Sequence, residues 1–190
     1  MIVEGQTEKE LLKGIGYDEE KILVSNGKSN IIETIKEKVP EEEGNVCLII
    51  DGDEEGYEKI KEELIRQGVN ITEANPPYIK KCEDDRCYTL IVIGRDEDYK
   101  GCIETLLNEL LPGVQEEKIL NEILEYKKRK MGKLSLCEEE KIKFYLKIFL
   151  LSDNVSTLYI QRIFVNEAIK IIGKDKIRSK LAKFILLEVS

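Results

Sequence analysis

Histidine is absent from this 190-residue chain, and that one absence removes whole classes of chemistry. Ser-His-Asp and Cys-His catalysis need an imidazole to carry a proton, and a histidine-ligated metal centre needs one as a donor. Long apolar runs are missing too. No stretch approaches the roughly eighteen uninterrupted apolar residues of a membrane span, and no charged-then-apolar leader precedes the first apolar segment. The expectation is a cytoplasmic protein with no membrane partner. Cysteine is sparse and odd in number, at five, which argues against a secreted disulfide framework. Cys82 and Cys87 frame a polar segment and read as ordinary loop thiols, the alternatives being a disulfide or half of a zinc site that lacks its other ligands. Cys47 lies in an apolar run and reads as core.

Charge is plentiful. Asp, Glu, Lys and Arg make up 36% of the chain, with Lys and Glu dominant, a balance that suits a heat-adapted protein. The net charge of −8 is unevenly spread: residues 1–112 carry −13 and residues 113–190 carry +5. An acidic first part that gathers carboxylates, followed by a basic second part, fits a metal site beside a surface for a phosphate backbone. The alternative is that the Lys-rich helices are simply solvated faces.

With 42% apolar residues, the chain has enough material for one core. Its first hundred residues alternate strand and helix signals. Strands are expected at 2–4, 22–25, 46–50, 69–72 and 88–93. Helices are expected at 7–13, opened by a Thr7-to-Glu10 capping box, at 29–38, capped by Ser29, and at 54–67. Short strands that are apolar on both faces and separated by amphipathic helices imply a mostly parallel sheet covered on two sides, an α/β domain over 1–100. From 101 onward only helical periodicity remains, at 102–111, 115–130, 138–151, 157–172 and 174–187. This helical extension, 101–190, must bury Ile148, Phe149, Leu150, Ile163, Phe164, Ile171, Ile172, Phe184, Ile185 and Leu186 against the sheet domain, within itself, or against a second copy in a homodimer.

Two acidic motifs mark the chemistry: Met1-Ile-Val-Glu-Gly-Gln-Thr-Glu8 and Leu48-Ile-Ile-Asp-Gly-Asp-Glu-Glu-Gly56. Each is an apolar run ending abruptly in carboxylates and a glycine. In parallel α/β sheets functional groups collect beyond the carboxyl ends of the strands, so Glu4, Asp51 and Asp53 should share one crevice. Carboxylates gathered there repel one another unless a cation sits among them, and Mg²⁺ or Mn²⁺ is the natural counter-charge for hard oxygen donors.

Glu4-Gly5 after a first strand, with Asp51-x-Asp53-x-Glu55-Gly56 after a later one, resembles the toprim domain shared by type IA topoisomerases, bacterial-type primases, small ribosomal-RNA maturation nucleases and the OLD (overcoming lysogenization defect) nucleases. The likeness covers roughly residues 1–100 and implies a Rossmann-like toprim fold. Within that superfamily the chain is most similar to OLD-like domains and small stand-alone archaeal members. Glu8 stands four residues after Glu4, as in OLD-like domains, and Cys102-Ile-Glu-Thr-Leu-Leu107 is similar to their Ile-Glu segment after the last strand. The chain departs from full OLD proteins in having no Gly-x-x-x-x-Gly-Lys-Ser/Thr loop. It also carries no topoisomerase-sized tyrosine domain and no primase-type zinc module.

The resemblance implies Glu4, Asp51 and Asp53 as ligands of a first Mg²⁺, and Glu8 and Glu104 as ligands of a second. Glu55 would act through water or as a base, so the catalytic set is Glu4, Asp51, Asp53 and Glu55. It implies metal-assisted phosphodiester chemistry of the nuclease or nicking type on DNA or RNA. Lys127, Lys128, Arg129 and Lys130, with Lys133, form the densest basic run and would contact phosphates. Each assignment has a plainer counterpart. Glu8 equally suits a helix cap, Glu104 a solvated helical charge, Glu55 a helix opening, and the basic run the complement of a helix dipole. HAD-type phosphatases and receiver domains also use strand-end acids, but the first place Asp-x-Asp on the first strand and the second need a later strand-end Lys where Ile93-Gly-Arg95 stands. A non-catalytic metal- or nucleic-acid-binding protein that docks a partner is the main alternative.

Overall fold

A computed structural model describes residues 1–39, 45–69, 71, 87–95, 98–152 and 161–182. Four parallel strands form one sheet in the order β2-β1-β3-β4. They are β1 (Ile2–Val3), β2 (Leu23–Val24), β3 (Asn45–Asp51) and β4 (Cys87–Ile93). β3 and β4 pair along their whole length, Asn45 with Cys87 through Asp51 with Ile93. β1 sits between β2 and β3, with Ile2 opposite both Leu23 and Leu48. Within the expected strand at 69–72, Ile71 forms a parallel bridge with Tyr88; residues 70 and 72, like the proline-containing and Cys82-containing segments, lie outside the described residues.

Side chains alternate across the sheet as the pleat requires. Val3, Ile49, Ile91 and Ile93 face one core, and Ile2, Leu48, Ile50, Leu90 and Val92 face the other. The second core is covered by α2 (Ile31–Lys38) and α3 (Tyr57–Arg66) through Ile31, Ile35, Tyr57, Ile60 and Leu64. Two boundaries move. Ser29 lies in a 3₁₀ turn, Lys28–Asn30, ahead of α2. Glu54 and Glu55 lie in the turn before α3 rather than in its first turn, because Glu55 and Gly56 donate their amides back to the Gly52 carbonyl.

The first core is larger. It combines α1 (Gln6–Gly14) with α4 (Ile103–Leu110), α6 (Leu136–Leu151), α7 (Gln161–Ile172) and α8 (Lys174–Ala182). Leu106, Leu107, Phe144, Ile148, Val165, Ala168 and Ile177 are buried in the same cluster as Val3 and Ile49. The helical extension therefore packs directly on the sheet and continues its hydrophobic core. The helix α5 (Glu117–Met131) is more peripheral, burying Leu120 and Leu124. The expectation that all the apolar helical residues are buried needs correction: Phe149 is 59% exposed, and Leu150 and Ile163 are also exposed. They fall on the outer side of helices whose inner stripes already fill the core. Phe184, Ile185 and Leu186 lie outside the described residues. No helix among the described residues is long and apolar enough to cross a membrane.

Candidate metal centre at the sheet switch point

Because β2 is added on one side of β1 and β3 then pairs on the other, the order in which strands are laid down reverses between β1 and β3, while the strands themselves stay parallel. The adjoining strand ends open the crevice where α/β sheets place their ligands. Glu4 follows β1 and Asp51 ends β3, one on each side of that crevice. They touch: the Asp51 amide donates to Glu4 Oε2 at 3.3 Å.

Two helices deliver the other acids. The Gly5 amide donates to Glu8 Oε2 at 2.8 Å, closing the start of α1 and turning the Glu8 carboxylate back toward the strand end. A β-carbon at Gly5 would stand 2.9 Å from Glu8 Oε2, so any larger residue there would displace the Glu8 carboxylate. The capping role of Glu8 and its place in the cluster are thus the same geometry. From the other side, Asp51 Oδ1 accepts the Ile103 amide at 3.0 Å, fastening the first turn of α4 to the end of β3. This brings in Glu104, which is fully buried. Among the described residues neither of its carboxylate oxygens has a hydrogen-bond partner.

Oxygens of Asp51 and Glu104 and the sulfur of Cys102 all lie within 4.8 Å of one another. Burial is the first cause that drives Glu8 up to about 7, with the Glu104 and Glu4 charges adding to it against opposing backbone hydrogen bonds. Burial likewise raises Asp51 well above its ordinary value, helped by Glu8, Cys102, Glu104 and Glu4. It raises Glu4 too, with Lys28 opposing and Asp53 assisting. Four carboxylates, Glu4 and Glu104 each within electrostatic reach of both Glu8 and Asp51 and three of the four buried, form a site that is costly without a positive charge. The donor set fits a divalent cation: hard oxygens, no competing hydrogen bonds on Glu104, and strand-end backbone to hold them.

Asp53 and Glu55 occupy a different position. Asp53, at φ +46°, is held in this left-handed conformation by a reciprocal pair of 2.7 Å backbone hydrogen bonds with Gly101. Its Oδ2 is 2.6 Å from Lys28 Nζ and its Oδ1 is 3.1 Å from Cys137 Sγ. Lys28 also reaches Glu55 at 3.6 Å. The pair therefore forms an ion-paired rim beside the buried cluster. Burial works against the charge on Lys28, but Asp53, Glu4 and Glu55 outweigh it and its pKa is raised. Gly52 lets this rim approach: a β-carbon there would lie 1.6 Å from the Tyr99 carbonyl oxygen.

The helical region contributes three further groups that the motifs do not reveal. Cys102 is the N-cap of α4. Cys137 begins the inward stripe of α6, which continues through Glu140, Phe144 and Ile148, and Lys141, one turn after Cys137, is exposed at the edge of that stripe. Burial opposes the charge on Lys141, yet Glu104, Asp51 and the two cysteines raise its pKa overall. The Cys137 thiol is pushed up by its contact with Cys102 first, then by burial and by Asp53.

The basic run occupies the end of α5. Lys128 pairs with Glu139 at 2.9 Å and lies 3.6 Å from Glu125. Lys128, Arg129 and Lys133 line an open groove with Gly132, Leu134 and Glu139. The α5–α6 turn beyond them is tied to the rim, where the Leu136 amide donates to Glu54 Oε1 at 2.7 Å. The positive end of α5 is thereby linked to the acidic crevice.

Compared with known proteins, the chain matches no family model, no curated protein and no solved structure.

Proposed function

We propose that this protein is a divalent-metal-dependent enzyme of phosphodiester chemistry, a nuclease or nicking activity on nucleic acid, with its centre at the β1/β3 switch point. The observation that carries the reading is Glu104: a fully buried carboxylate with no hydrogen-bond partner among the described residues, beside Glu8, Asp51 and Glu4. Toprim-like motifs at Glu4-Gly5 and Asp51-x-Asp53 supply the substrate class. Glu4, Glu8, Asp51 and Glu104 would hold Mg²⁺ or Mn²⁺, and Asp53 would join them on release from Lys28. The metal's contribution is Lewis-acid stabilisation of charge on the phosphate and activation of water. Lys28 at the rim and the exposed Lys141, within electrostatic reach of Glu104 and Asp51, would bind and orient a phosphate, while Lys127, Lys128, Arg129, Lys130 and Lys133 would carry the flanking backbone. Glu55, tethered by Lys28, positions that lysine.

A second reading, a non-catalytic metal- or nucleic-acid-binding role, is favoured by one observation. Asp53 is already neutralised by Lys28 at 2.6 Å, which suits a closed binding site. One experiment separates the two. Supercoiled DNA, single-stranded DNA and structured RNA are incubated with the protein in Mg²⁺, Mn²⁺ or EDTA, alongside Asp51→Asn/Asp53→Asn. Metal-dependent cleavage that disappears in the variant supports the enzyme. Metal binding without cleavage of any substrate supports the second reading, and equal cleavage by both proteins removes the site from the chemistry.

A further inference from the structure

We infer that the buried cluster takes a thiophilic divalent cation of the zinc type, with the Cys102 thiolate as a ligand beside Asp51 and Glu104. The inference rests on the cluster holding a cation and does not require that it cut nucleic acid. Three features lead to it. Cys102 Sγ lies within 4.8 Å of donor oxygens of both Asp51 and Glu104, a separation that closes onto one ion with small side-chain shifts, given zinc–sulfur bonds of about 2.3 Å and zinc–oxygen bonds of about 2.0–2.2 Å. Glu104 is fully buried and has two unpartnered oxygens among the described residues, so it is a donor in need of a cation rather than a solvated charge. Cys102 is itself fully buried, and its sulfur makes long polar contacts, 3.7 Å to Thr105 Oγ1 and 4.0 Å to the Cys137 carbonyl oxygen, besides its contact with the Cys137 thiol. Those contacts are weak competitors for a metal.

Magnesium and calcium select all-oxygen sites, whereas a sulfur donor shifts preference toward zinc and related transition metals. Binding would replace the Cys102 thiol proton, which leaves to solvent, by a sulfur–metal bond, with no change of oxidation state. Cys137 is assigned a different role. Its sulfur is 3.1 Å from Asp53 Oδ1, so it orients the rim and is not a ligand.

Cobalt(II) is the probe, added to the full chain carrying Cys82→Ser and Cys87→Ser to remove the two thiols that lie nearest each other in the sequence. The expected spectrum contains thiolate-to-cobalt charge-transfer absorption in the near ultraviolet. Adding Cys102→Ser should abolish that absorption and weaken zinc affinity by at least about 10-fold, a loss that even outer-shell changes can produce. Cys137→Ser should retain the absorption. An oxygen-only cobalt spectrum before Cys102 is touched overturns the inference, whether or not Cys102→Ser folds. Absorption that survives Cys102→Ser in a folded protein overturns it as well. Cleavage assays in Mg²⁺ are scored separately, so a failure of the enzymatic reading leaves the cobalt result standing.

Discussion

Asp51 Oδ1 accepts the backbone amide of Ile103 at 3.0 Å, so a carboxylate at the end of β3 caps a helix that begins 52 positions later in the chain. The hydrogen bond does two jobs: it satisfies an otherwise open amide of α4 and draws Glu104 into the crevice. Asp51→Asn keeps an oxygen acceptor and should retain the fold while losing metal affinity. Asp51→Ala removes the acceptor and should cost a further 1–2 kcal/mol or so, about the range for losing a helix cap. Urea unfolding of the two variants in EDTA checks the difference.

The raised pKa of Glu8 sets a pH dependence with a definite sign. Folded Glu8 titrates at about 7 against an ordinary value of 4.5, so between those values the folded state holds more protons than the unfolded state. Stability of the metal-free protein therefore falls as pH rises through this window. The contribution is on the order of 1–3 kcal/mol, bounded above by the size of the shift. Unfolding followed in EDTA should show the decline, Glu8→Gln should flatten it, and a bound divalent cation should restore stability at the upper end.

Gly52 is the tightest point of the rim. The Tyr99 carbonyl oxygen stands only 1.6 Å from where a β-carbon on residue 52 would sit, so Gly52→Ala must push two backbone segments apart. A loss of roughly 1–3 kcal/mol or more is expected, together with loosening of the Asp53–Gly101 pairing. Thermal unfolding measures the first, and hydrogen exchange at the Gly101 and Asp53 amides measures the second.

Much of the α/β half was legible because its signals are local. Apolar runs ending in acids marked β1 and β3, and helical periodicity marked α1, α3 and α4. The acidic motifs and the later Ile-Glu segment also pointed to Glu4, Glu8, Asp51 and Glu104 for one site, and the fold brings these four together. They could not show that Asp53 and Glu55 would be diverted to Lys28, because that pairing depends on how the turn after β2 sits against the turn after β3. Cys137 and Lys141 were hidden for a related reason: nothing in a helix's own sequence says which distant strand end its residues will meet. Exposure of Phe149 and Leu150 was missed because the second half of α6, Phe144 to Leu151, is apolar nearly all round, and only packing decides which side is inside.

Phe144 tests whether the helical half and the sheet form one cooperative unit. It is fully buried in the core shared by β1, β3, β4, α4 and α7. Phe144→Ala should cost about 3–5 kcal/mol. It should also lower the unfolding midpoints of sheet and helices together, which circular dichroism and tyrosine fluorescence can follow in parallel.

The central claim is that Glu4, Glu8, Asp51 and Glu104 hold a cation, and calorimetric titration of the metal-free protein with Zn²⁺ and Mn²⁺ above neutral pH tests it most directly. The unaltered chain should bind, and Glu104→Gln should remain folded, gain roughly 1 kcal/mol of metal-free stability through relief of charge repulsion and new hydrogen bonds, and lose the binding. Equal metal affinity in the two proteins would contradict the account.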